Sequence, residues 1–204
     1  MKEIFYSLVS NYTRDQNRKE ELWREIETNY SKKTRHYHTL AHLQNMYNQL
    51  LEVKTLITSW ETILFSLFYH DVIYNASKSN NEEKSVELAE KRMHSIGVPD
   101  LVIEQCKEQI SATKKHMVST VPDINYFIDA DLSILGLGWD EYAAYFHRVR
   151  KEYFIYPDML YNPGRRKVLQ HFLQKEHIFK TGHFIYKFEL QAKENLLREM
   201  EFLV

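Results

Sequence analysis

An all-α fold is predicted for this 204-residue chain by three features of its sequence. Apolar residues recur at helical spacing almost from end to end, glycine and proline are scarce, and no stretch alternates convincingly with the period of a strand. The 5 glycines and 4 prolines leave few places to interrupt a helix, while 44% hydrophobic and 14% aromatic residues supply a core. No internal repeat, low-complexity segment or Pro/Ser-rich linker offers a boundary, so residues 1–204 are read as one domain with additional C-terminal helices.

The elements follow in order. Residues 15–30 make a polar amphipathic helix around Leu22, Trp23 and Ile26, and residues 39–56 place Leu40, Leu43, Met46, Tyr47, Leu50 and Leu51 on one face. Thr34-Arg35-His36-Tyr37 breaks the chain between them. Residues 59–74 are apolar nearly all round, as expected of a helix inside a bundle, which puts His70-Asp71 near the centre. A polar loop, Asn75 to Asn81, leads into a helix to His94; Ser79-Asn80-Asn81-Glu82 has the capping-box pattern for its start. Gly97-Val98-Pro99-Asp100 stops that helix and opens another over 100–115. Pro122-Asp123 begins a helix carrying Phe127, Ile128, Leu132 and Leu135, closed by Gly136-Leu137-Gly138. Helices over 139–155, 165–178 and 184–202 complete the chain, separated by Pro157, Asn162-Pro163-Gly164 and Thr181-Gly182.

Composition narrows the function. With 27 basic and 28 acidic residues mixed along the chain, the net charge is -1 and no footprint for long nucleic acid is present, which favours a small substrate. No apolar run reaches the roughly 18–20 residues of a membrane span, and Met1-Lys2-Glu3-Ile4-Phe5 does not resemble a cleavable leader, so a cytoplasmic location is expected. Cys106 is the one cysteine and has no activating neighbour within Ile103-Glu104-Gln105-Cys106; it reads as a small buried residue.

The informative pattern is ionisable. His70-Asp71 ends the apolar run Ile63-Leu64-Phe65-Ser66-Leu67-Phe68-Tyr69, with isolated histidines before it and Asp129-Ala130-Asp131 well after it. Two such side chains at the end of a greasy helix are costly to bury unless something pairs with them, and a metal ion satisfies both at once.

In this order the chain resembles the HD superfamily of metal-dependent phosphohydrolases, whose pattern is a His, then His-Asp, then a distant Asp. His38 in Arg35-His36-Tyr37-His38-Thr39-Leu40-Ala41-His42 matches the first position, His70 and Asp71 the doublet, and Asp131 the last. The likeness is greatest to a bacterial branch of predicted HD phosphohydrolases sharing the strings RHYHTLAHL, HDVIYN, NNEEKS and DADLSILG, and it runs through Arg150-Lys151-Glu152-Tyr153 and Gly164-Arg165-Arg166 to the last helix. It implies an HD-domain-like helical bundle and a metal held by His38, His70, Asp71 and Asp131. Relatives that hydrolyse guanosine tetraphosphate have a Glu-Asp pair soon after the doublet, where this chain reads Val72-Ile73-Tyr74-Asn75, and the Gly-Tyr-Pro element of the cyclic-dinucleotide branch is absent.

Two imidazoles and two carboxylates suit Mn or Fe first, with Co, Ni, Zn or Mg as further candidates. On an octahedral ion such a set leaves positions for water and a phosphate oxygen, which is the chemistry of phosphoester hydrolysis. Asp71 is placed in the catalytic group beside Glu82 and Glu83, carboxylates positioned to act as general base or acid. Arg35, His42, His116, Arg150 and Arg165 are candidates for the substrate, with Lys114, Arg166, Tyr74 and Tyr153 behind them. His42 stands four residues after His38 on one helical face and fits a metal-ligating, a core, a ligand-orienting or a phosphate-binding role. His116 fits phosphate binding, a helix C-terminus or, as the resemblance implies for two-metal relatives, a second metal. Asp129 suits orienting a ligand histidine or an ordinary polar position on a helix.

The expected activity is hydrolysis of a small phosphate ester or anhydride, with a nucleotide as the leading substrate. The alternatives are a non-catalytic metal-dependent nucleotide-binding or sensor protein and a dinuclear-iron oxygenase. Tyr142, Tyr145, Phe146, Tyr153 and Phe154 suit either the core or a homodimer surface.

Overall fold

A computed structural model of the chain describes residues 1–203, and every regular element among them is helical. The ten α-helices are α1 (Lys2–Val9), α2 (Gln16–Tyr30), α3 (Leu40–Glu52), α4 (Trp60–Tyr69), α5 (Asn81–His94), α6 (Asp100–Ala112), α7 (Pro122–Leu132), α8 (Trp139–Glu152), α9 (Asp158–Leu173) and α10 (Gly182–Phe202). Short 3-10 turns follow α3 at Lys54–Leu56 and α7 at Ser133–Gly136. The chain folds as two compact units, Met1–Ile128 and the residues from Asp129 onward, and the division falls inside the continuous helix α7.

In the first unit, α4 is buried from Thr62 to Tyr69, as its unbroken apolar sequence requires. Phe68 sits edge-on to Phe5 and Trp23, which brings α1 and α2 onto α4. The helix α1 was not anticipated from the sequence, although Phe5, Leu8 and Val9 fall on its one buried stripe. Polar groups inside this unit are paired. Ser66 Oγ donates to Gln109 of α6 at 2.7 Å, and the carboxylate of Asp123 accepts the Thr58 and Ser59 N–H groups at 2.9 and 2.7 Å. Asp123 thus fixes the start of α4 from the first turn of α7, satisfying donors that a helix N-terminus leaves open.

Several boundaries differ from the sequence expectation for physical reasons. α4 stops at Tyr69 instead of running to residue 74. Beyond it the chain turns, with the Val72 N–H bonding the Tyr69 carbonyl at 3.2 Å, and the Arg35 guanidinium donates to the Asp71 and Val72 carbonyls at 2.7 and 2.9 Å, holding that segment in place. α6 ends at Ala112, three residues early, and His116 adopts a φ of 49°, the left-handed conformation of a chain leaving a helix. The capping box at α5 does not form. Asn80 makes no side-chain cap; instead Asn81 ties back to Asn75 through bonds in both directions at 3.0 Å.

In the second unit, α9 begins at Asp158 rather than 165 and contains Pro163. The ring removes only the N–H that would bond the Met159 carbonyl, and Met159 is solvent-exposed, so water can replace the partner. Gly136 lies where a β-carbon would overlap the backbone and Cβ of Phe188 on α10, so a glycine is demanded by close approach rather than by helix termination. Asn195 of α10 clamps the same turn by donating to the Leu135 and Leu137 carbonyls, each at 2.8 Å. A buried pair, Arg165 with Glu199, is bidentate at 2.7 and 2.8 Å and is joined by the Tyr142 hydroxyl.

Candidate metal centre

His70 follows the last turn of α4, and its N–H closes the last helical bond onto Ser66 at 2.8 Å. Its ring is fully enclosed, and Nδ1 lies 3.1 Å from the Leu67 carbonyl. A carbonyl can only accept, so Nδ1 carries the hydrogen and Nε2 of the neutral ring presents its lone pair. That lone pair faces His42 Nε2 at 3.3 Å and Asp71 Oδ2 at 3.3 Å. A proton on His42 would bridge the two imidazoles yet still leave the carboxylate directed at the same lone pair. A cation at this point, a proton or a metal ion, satisfies all three groups. The bond from Nδ1 to a backbone carbonyl is also the arrangement that orients a ligating imidazole.

Asp131, the last residue of the expected set, lies on α7 in the second unit. Phe127 of this helix stands edge-on to the His70 ring at 5.7 Å, and Asp131 lies four residues further on the same face. Within the first unit, His42 and Asp71 each bring a donor atom to 3.3 Å from His70 Nε2, imidazole and carboxylate groups of the kind a metal ion takes. Both histidines are buried and Asp131 is half-buried.

His38 is at the edge of this arrangement. Its Nε2 is 3.9 Å from Asp71 Oδ2, and its ring stacks on Tyr74 with centroids 4.1 Å apart. His36, by contrast, is exposed. Arg35 is buried beneath the doublet and also donates to the His38 carbonyl at 3.2 Å. Its two terminal nitrogens therefore hold the backbone of both His38 and Asp71, a bracing role that the sequence reading assigned to substrate. The signal was available in principle: Arg35 is next to a chain break and three residues before His38, where a loop needs its carbonyls satisfied.

The remaining candidates have partners of their own. Lys114 forms a hydrogen bond with Glu83, lies 3.8 Å from Glu82 and donates to the Ser79 carbonyl at 2.7 Å. The Lys114 ammonium holds the Glu83 carboxyl below its ordinary range, which weakens it as a base. His116 is half-buried at the left-handed turn after α6. In the second unit, Arg150 binds Asp158 at 2.6 Å together with the Tyr153 and Tyr156 carbonyls, and Arg165 is committed to Glu199. Arg166 donates to the Leu203 carbonyl at 2.6 Å.

Asp129 does not orient a histidine. Its buried carboxylate accepts the Lys180 N–H at 2.8 Å, the Thr181 N–H at 2.8 Å and the Thr181 hydroxyl at 2.8 Å, capping the start of α10. Burial pushes the Asp129 carboxyl upward and these donors offset part of that shift. Two residues apart on one helix, Asp129 and Asp131 serve opposite faces.

Comparison of the chain with protein-family models, curated proteins and solved structures found no match. Among the described residues no helix is long and apolar enough to cross a membrane.

Proposed function

We propose that this chain is a metal-dependent phosphohydrolase of HD type, acting on a small phosphate ester or anhydride, with nucleotides as the substrate class. The observation that carries the reading is the convergence of His42 and Asp71 on the His70 Nε2 lone pair. The His, His-Asp, Asp order in the sequence supports the same reading.

The donors fit a divalent ion of intermediate hardness, Mn or Fe. His42, His70, Asp71 and Asp131 would hold it, and His38 is next in reach. Such an ion supplies Lewis acidity towards a phosphoryl oxygen and acidifies a bound water. The chain's own contribution is orientation. Leu67 fixes the His70 tautomer, Arg35 holds the Asp71 and His38 backbone, and Phe127 closes one side of the His70 ring against water. Lys114 supplies the cationic group and His116 the imidazole proposed for the phosphate, and Glu82 the carboxylate proposed for proton transfer.

The test is release of inorganic phosphate or nucleoside from a panel of nucleotides and sugar phosphates after reconstitution with Mn, beside an Asp131→Ala variant. Turnover that needs metal and disappears in the variant supports the reading. A fully metal-loaded chain with no turnover on the panel overturns it.

A further inference from the structure

The outward face of α10 has no assigned role, and it is apolar in an unusual place. Tyr186, Leu190 and Leu197 are 95%, 76% and 56% exposed on this 21-residue helix. With Lys193, Glu194 and Glu201 they fall within roughly 120° of the helix surface. Isolated surface leucines need no explanation, but an aligned stripe of this kind does.

The order of residues in the stripe identifies its occupant. About the midpoint between Lys193 and Glu194, Leu190 mirrors Leu197, Lys193 mirrors Glu194 and Tyr186 mirrors Glu201. A twofold axis at this midpoint, perpendicular to α10, sets each leucine of one copy against the other leucine of its partner. It also sets each lysine against a glutamate and each tyrosyl hydroxyl against a carboxylate. The same face would place like charges together if two copies packed in parallel register. Lys193 uses two donors internally, to the Glu176 carbonyl at 2.8 Å and Glu189 at 3.1 Å, and an ammonium carries three.

We infer that α10 is a homodimerisation surface on which a second copy of this chain packs antiparallel about the Lys193–Glu194 midpoint. The inference is independent of the metal centre. A self-complementary patch of this kind is what a closed twofold dimer requires. One helix face is smaller than a standard interface, so the dimer should be reversible with concentration.

The test is sedimentation equilibrium of the full chain from about 1 to 500 µM, the range in which small interfaces associate. The expected mass rises from the 24.6 kDa chain towards twice that value. Leu190→Glu and Glu194→Lys should each weaken association at least tenfold. Leu101→Glu, a substitution at a comparably exposed leucine on α6, should leave it unchanged. Circular dichroism melts confirm that the variants fold. A monomer at every concentration, or a dimer that survives both α10 substitutions, overturns the inference. Loss with Leu190→Glu alone overturns the antiparallel register.

Discussion

At the scale of single residues, the centre depends on side chains that never need to touch a substrate. Arg35 is the clearest: it is buried, and its guanidinium satisfies the carbonyls of His38, Asp71 and Val72. Arg35→Met should destabilise the fold by about 3 kcal/mol, because charged donors to buried carbonyls are replaced by none. The denaturation midpoint measures this; a variant as stable as wild type refutes the bracing role. Cys106 gives a second expectation. Burial pushes its thiol up to about 12, so it should resist a thiol-specific reagent at pH 8 in the native chain and react fully on unfolding. Rapid native labelling would show that α6 opens locally. Much of the ionisable pattern was legible in the sequence, because a His-Asp pair at the end of an apolar run is conspicuous. The pairing of His42 with His70 was not, since i,i+4 spacing places His38 and His42 on one face without saying which reaches α4.

At the scale of elements, α7 does the connecting. Its first turn caps α4 through Asp123, Phe127 lies against His70, and Asp129 caps the start of α10. Asp129→Ala should cost about 1–2 kcal/mol by leaving helix N-terminal donors without their acceptor, with Asp129→Asn retaining part of that. Equal melting temperatures for Asp129→Ala and wild type would contradict the capping assignment. Gly136→Ala tests close approach: its methyl must displace Phe188, at a cost of about 1–3 kcal/mol. A neutral effect on thermal unfolding would show that α10 yields freely there. Periodicity revealed where helices lie, but their ends were set by partners distant in sequence. Asp123 fixes the start of α4, and Pro163 is tolerated in α9 because the carbonyl it orphans belongs to an exposed residue. Neither fact is written in local propensity.

At the scale of the whole molecule, the all-helical class followed from scarce glycine and proline together with helical spacing, and the structure has that class. The division into two compact units inside α7 had no sequence signal, since the chain crosses it within one helix rather than through a linker. The central claim is that imidazole and carboxylate donors converge to hold a divalent ion. The most direct measurement is a calorimetric titration of the metal-stripped chain with Mn, repeated on His70→Ala and Asp131→Ala, with circular dichroism verifying the fold of each. Saturable binding by the wild type, weakened at least tenfold in both variants, is the expected result. Absence of saturable binding, or affinity unchanged in the two variants, would contradict it.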